Sequence, residues 1–290
     1  MVRIVENLAE VSEHYDAVFC DLWGCLHNGV TAFPEAVQAL RGFRARGGKV
    51  VLLTNAPRGR ASVAEQLVTF SVPDDCWDVI ATSGDSARAA MFRGAVGDNV
   101  WFMGQDFDLT FFEPLSIVTD PVTIERVDLD EATGIVCLGP FDALADPEVN
   151  RPEFLFAKQK GLKLLCANPD IVVDRGETRE WCAGALAKLY TEMGGESLYF
   201  GKPHPPVYDL ARRRLAALGH AIPDSRILCI GDGILTDIKG ALGEDLDSLF
   251  ITGGLAATET GTLRQPEQGA LDAFVTEQNL TPTYAVGFLR

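Results

Sequence analysis

The chain has 290 residues, 47% hydrophobic and 23% charged, with a formal net charge of −16. This is the balance of a globular protein of one large or two ordinary domains, too acidic to favour nucleic acid as a partner. No stretch approaches the roughly 20 apolar residues of a membrane span, and MVRIVENLAEVSEHYD carries acids where a signal peptide would be basic and then apolar, so no membrane and a cytoplasmic location are expected.

In chain order, AVFC (17–20) is a short apolar strand that ends on Asp21 and breaks into Trp23-Gly24. PEAVQALRGFRARGG (34–48) has proline at its start and glycines at its end, a helix pattern. KVVLLT (49–54) is a second strand, closing on Thr54-Asn55, and GRASVAEQLVTF (59–70) a second helix. DVIAT, NVWFM, GIVCL and LKLLCA supply further strands, with a helix in RPEFLFAKQKG. EWCAGALAKLYTEMGG reads as another helix, and SLYF (197–200) runs into Gly201-Lys202-Pro203. PPVYDLARRRLAALG then leads to RILCI (226–230), the turn Gly231-Asp232-Gly233 with Asp237 beyond, and the strand DSLFI. Apolar strands separated by helices predict parallel sheets covered on both faces, an α/β fold. The seven cysteines show no C-x-x-C spacing and several sit in strands, which predicts buried reduced thiols rather than a zinc or disulfide framework. Strand-end acids cluster at residues 20–60 and 200–240. The expected division is therefore a core in two parts, 1–76 and 197–290, split by an insert at 77–196.

Ligands of open parallel sheets bind outside the carboxyl ends of the strands, so the four turns should share one crevice. It would offer carboxylates, a hydroxyl, one lysine and glycine turns. Hard oxygen donors select Mg²⁺, and a lysine with N–H groups beside it suits a phosphoryl group. A carboxylate there can attack phosphorus and form an acyl phosphate.

Those motifs, in that order, resemble the haloacid dehalogenase superfamily, specifically the class IIA phosphatases with a large α/β cap. The family motif D-x-D-G-[TV]-L stands here as Asp21-Leu22-Trp23-Gly24-Cys25-Leu26. Thr54-Asn55, Gly201-Lys202-Pro203 and Gly231-Asp232…Thr236-Asp237 match the other three motifs, and Ala167-Asn168-Pro169-Asp170 resembles a cap feature. The resemblance implies a Rossmann-like core with an inserted α/β cap, acting on a small phosphorylated metabolite such as a sugar phosphate or nucleotide. It assigns Asp21 as nucleophile, and Asp21, the Trp23 carbonyl, Asp232 and Asp237 to Mg²⁺, the last through water or by orienting the shell. Thr54 and Lys202 are assigned to the phosphoryl group, with N–H groups near Gly24 and Asn55, and Asn168 and Asp170 to the rest of the substrate. A homodimer is compatible with it, since such caps often pair.

One position departs. The family's second aspartate protonates the leaving oxygen and later activates water; here it is Trp23, whose indole has one N–H and no useful acidity. Loss of a positioned general acid–base costs on the order of 10²–10⁴-fold in rate. Three readings stay open: a phosphatase whose proton comes from elsewhere or is not needed, a phosphometabolite-binding pseudo-enzyme, and a non-phosphate hydrolase such as a dehalogenase. The last fits least, because Asp232 and Asp237 remain where a metal would need them. His27 is the nearest titratable group, although a loop histidine covering the site is the simpler reading. Asn168 and Asp170 suit a turn as well as a ligand, His204 suits a helix entrance, and Arg175 and Arg179 either add positive charge or face solvent.

Overall fold

The computed structural model describes residues 1–114, 118, 120–175, 178–219 and 221–290. The chain divides into two compact units: Met1–Thr54, Ala61–Ala81 and Lys202–Arg290 form the first, Asn55–Arg60 and Thr82–Gly201 the second.

In chain order the first stretch holds β1 (Arg3–Ile4), β2 (Ala17–Cys20), α1 (Pro34–Ala45), β3 (Lys49–Thr54), α2 (Arg60–Thr69) and β4 (Val79–Thr82). The insert follows with α3 (Ser83–Met91), β5 (Asn99–Met103), β6 (Glu125–Arg126), β7 (Gly134–Cys137), α4 (Arg151–Gln159) and β8 (Lys163–Cys166). It ends with β9 (Val172–Arg175), β10 (Thr178–Trp181), α5 (Ala183–Glu192) and β11 (Glu196–Tyr199). The chain closes with α6 (Pro205–Ala216), β12 (Ile227–Gly231), α7 (Lys239–Gly243), β13 (Asp247–Ile251), α8 (Gln268–Gln278) and β14 (Tyr284–Val286).

The first unit is built on a seven-stranded sheet of order β1-β14-β13-β12-β2-β3-β4. All four residues of β2 and all five of β12 are buried, as their unbroken apolar runs require of central parallel strands. The parallel register sets Cys20 opposite both Ile230 and Leu52. Asp21, Gly231 and Leu53 therefore lie at one level, with Asp232 and Thr54 one residue on. Strand order reverses between β2 and β12, which is where such sheets bind ligands. Proline starts α1, and Ala36, Val37, Leu40 and Phe43 form its buried stripe. On α6, Val207, Tyr208, Ala211 and Leu215 pack with Phe19, Val51, Leu53 and Cys229 from β2, β3 and β12.

The second unit carries a five-stranded sheet, β11-β8-β7-β5-β6, and the hairpin β9–β10. Successive side chains of β8 serve opposite faces: Leu164 joins Phe154, Leu186 and Tyr190, while Leu165 joins Met91, Phe111 and Val136.

The nine strands expected from the sequence form, as do the five helices. Five short strands were not legible. β1, β6 and β14 have two or three residues. The β9–β10 pair departs from the all-parallel expectation: it is antiparallel, with Val172 opposite Trp181, because Gly176 and Glu177 alone separate the strands, too few for a crossover. The segment SGDSARAAM, assigned no element from the sequence, is α3, capped by the Thr82 hydroxyl, which accepts from the Asp85 N–H at 2.9 Å. SLYF was expected in the core; β11 pairs instead with β8, Tyr199 opposite Cys166. All seven cysteines are free and buried, and no described helix is long and apolar enough to cross a membrane.

Candidate functional site

The ends of β2 and β12 and the turn into α6 place four charged side chains together in the first unit. Lys202, 3% exposed, lies 2.7 Å from Asp21 Oδ1 and donates to Asp237 Oδ1 at 2.6 Å. Burial alone would lower the lysine pKa, but Asp21 and Asp237 hold it well above the usual range, so the ammonium stays charged. Asp237 reaches Lys202 because Ile234–Ile238 is one wide π-helical turn; its Oδ2 accepts from the Gly233 N–H at 3.0 Å. Both Asp237 oxygens are thus engaged by the protein, which makes it the group that aims the lysine.

Asp232 has no cation. Its Oδ2 accepts from the Leu255 N–H at 3.1 Å, and no described group donates to Oδ1. Burial, then the neighbouring charges of Asp21 and Asp237, raise its pKa well above the carboxylate range. With all three carboxyls ionised, the group around the single ammonium would be two charges short of neutrality. That deficit and the hard oxygen donors fit a divalent cation such as Mg²⁺. One oxygen each of Asp21 and Asp232 and the Cys25 thiol lie within 4.8 Å of one another. Asp237 is not in this group.

Two glycines bring backbone against Asp232. At Gly24, with φ of +72°, and at Gly254, a Cβ would overlap the carboxylate. The Gly24 N–H, expected near phosphate, donates to the His27 carbonyl at 3.0 Å. It therefore closes its own loop and is not directed at a ligand. Gly254 and the Leu255 N–H were missed in the sequence. The Gly253-Gly254 pair after β13 was the available signal, since paired glycines mark close backbone approach.

The tryptophan belongs to this loop. Its ring fills the space beside Gly29, where a Cβ would overlap the indole, and it meets the His27 ring edge-on at 6.3 Å. His27 is buried, packs 4.8 Å from the Phe70 ring, and accepts at Nδ1 from the Gly29 N–H at 3.0 Å. Burial lowers its pKa to about 4, so it is neutral at physiological pH and serves as a loop brace. Burial, then Asp232 and Asp21, push the Cys25 thiol up, so it is protonated.

Thr54 ends β3, buried. Asn55 begins the second unit, where its amide donates to Asp170 Oδ1 at 2.8 Å. Asn168 Oδ1 accepts from the Asp170 N–H at 3.1 Å, the bond of an Asx turn. The structure thus brings Asn55, Asn168 and Asp170 together within that unit. His204 immediately precedes α6 at Pro205, Arg179 lies exposed on β10, and the Arg175 side chain is outside the described part.

Comparison with known proteins shows the family and the fold. A haloacid dehalogenase-like hydrolase family profile matches residues 18–115, and a HAD-hydrolase-like profile matches residues 199–276. A haloacid dehalogenase-like family hydrolase from Brucella suis 1330 is 37% identical over 99% of this chain and 100% of its own, with a TM-score of 0.85. The ribonucleotide monophosphatase NagD of Escherichia coli K12 is 24% identical, over 83% of this chain and 89% of its own. A glycerol phosphate phosphatase of Mycobacterium tuberculosis, solved with magnesium, shares the fold at 23% identity and a TM-score of 0.67, over 95% of this chain and 76% of its own.

Proposed function

Because the chain belongs to the haloacid dehalogenase-like hydrolase family, we propose that it hydrolyses a small phosphate monoester, a sugar phosphate or nucleotide, with Mg²⁺ and Asp21 as nucleophile. The observation that carries the reading is Lys202 set between Asp21 and Asp237, with an oxygen of a further buried carboxyl, Asp232, within 4.8 Å of one of Asp21.

In this reading Asp21, Asp232 and the Trp23 carbonyl would hold the cation, with Asp237 supporting through Lys202. Bound there, Mg²⁺ would neutralise phosphoryl oxygens and favour the ionised form of both aspartates. Asp21 attacks phosphorus with a carboxylate oxygen, the phosphorus–oxygen bond breaks with its electron pair on the departing alkoxide or phenoxide, which takes its proton from solvent, and water later clears the aspartyl phosphate. Lys202 and the Thr54 hydroxyl stabilise charge on the transferring group, and Asp237 keeps the ammonium aimed there. The experiment is a panel of phosphate esters with and without Mg²⁺. Turnover that needs the metal and disappears in Asp21→Asn is expected; turnover retained in that variant overturns the assignment.

The pseudo-enzyme reading has an observation of its own. Trp23 packs on Gly29 and His27 is neutral and braced, so neither supplies a proton to the leaving group. Tight binding of a phosphorylated metabolite with no turnover of any ester in the panel would decide for it.

A further inference from the structure

We propose that Cys25 turns the Asp21–Asp232 pocket into a mixed carboxylate–thiol site that takes a thiophilic divalent cation, Zn²⁺ above all, in competition with Mg²⁺. This rests on the cation pocket described above and is independent of turnover.

The geometry is that of ligands around one ion. The Cys25 sulfur and an oxygen from each aspartate lie within 4.8 Å of one another. Zinc–sulfur and zinc–oxygen bonds of about 2.3 and 2.1 Å put tetrahedral ligand atoms about 3.6 Å apart, so a contraction of at most about 1.2 Å closes the cluster on an ion. Two further observations point at the thiol. Cys25 is 1% exposed, and its S–H finds no acceptor among the described residues, whereas Cys20, Cys76, Cys137 and Cys166 each donate to a main-chain carbonyl. Asp232, 7% exposed, leaves Oδ1 without a described donor. The Cys25 thiol, without a described acceptor, and Asp232, with one carboxylate oxygen lacking a described donor, therefore belong to the same three-residue cluster.

The chemistry of the donors sets the selectivity. Two carboxylates alone suit Mg²⁺; a sulfur beside them adds affinity for Zn²⁺ and Co²⁺, which accept soft ligands, and little for Mg²⁺. On binding, a metal–sulfur bond forms, the S–H bond breaks, and the proton passes to solvent with no change of oxidation state.

The test titrates the purified full chain with Co²⁺, an optical stand-in for Zn²⁺. A near-ultraviolet sulfur-to-cobalt charge-transfer band is expected, saturating at one metal per chain and abolished by Zn²⁺ and by excess Mg²⁺. Cys25→Ser and Cys25→Val should both lose the band. Their Zn²⁺ affinity should fall by at least the roughly 10–100-fold that removing even an outer-shell partner costs, with Mg²⁺ binding by calorimetry retained. Co²⁺ bound without the band, or a band unchanged in both variants, overturns the thiol ligand while leaving the Mg²⁺ reading in place. Failure of Co²⁺ and Mg²⁺ alike to bind overturns both.

Discussion

Trp23 stands where a proton donor would shorten the reaction, and its ring is occupied in bracing its own loop against Gly29 and His27. The expected signature is a steep dependence on leaving group: aryl phosphates, whose phenolate departs unaided, should turn over far faster than alkyl phosphates. Trp23→Asp should raise alkyl-ester turnover on the order of 10²-fold or more and aryl-ester turnover much less. Equal gains on both in steady-state assays would count against a missing general acid. His27 makes a different prediction. With a folded pKa of about 4 against about 6.5 unfolded, the unfolded chain binds one more proton between those pH values. Its contribution is complete above pH 6.5 and declines as pH falls toward 4, by about 3 kcal/mol at most. His27→Gln, which keeps an acceptor for the Gly29 N–H, should flatten that part of the profile; urea unfolding at pH 4.5 and 7 measures it, and identical slopes in both proteins would refute it.

At the scale of elements, the site depends on loops that end strands in register. The segment after β13 is held by a buried hydroxyl chain: Thr262 donates to Thr252 at 2.8 Å and lies 2.7 Å from the Thr260 hydroxyl, which bonds the Ala256 carbonyl at 2.7 Å. That chain fixes the loop whose Leu255 N–H orients Asp232. Thr262→Val removes the bond to Thr252 and the hydroxyl beside Thr260, so a loss of about 1–3 kcal/mol is expected, accompanied by weaker divalent-metal binding. Thermal unfolding and metal titration check the two halves; destabilisation with unaltered metal affinity would show that the loop does not position Asp232. Strand register has a similar role. Cys20 opposite Ile230 and Leu52 is what levels Asp21 with the turns carrying Asp232 and Thr54.

For the molecule as a whole, the chain crosses between its two units at Thr54-Asn55, Arg60-Ala61, Ala81-Thr82 and Gly201-Lys202. The second unit is nearly all one segment, with hydrophobic clusters on both faces of its own sheet. The fragment 82–201 should therefore unfold cooperatively when expressed alone, as a domain with its own core does. A circular-dichroism melt without a transition would contradict that. The alternation of buried runs with amphipathic segments was enough to show α/β architecture and nine of the strands, because burial on both faces leaves a continuous apolar signature. The same runs showed which residues end strands, and so named Asp21, Thr54 and Asp232 as candidates. Very short strands and the α3 cap were illegible, since two or three residues carry no period and a capping hydroxyl is visible only in place. Partnership was decided by tertiary structure alone. Lys202 between Asp21 and Asp237, Gly24 turned to close its loop, and Cys25 beside two carboxylates are contacts between segments distant in the chain or folded back on a left-handed turn. Local sequence periodicity reports which face of an element is buried; it carries no information on which charge that face will meet.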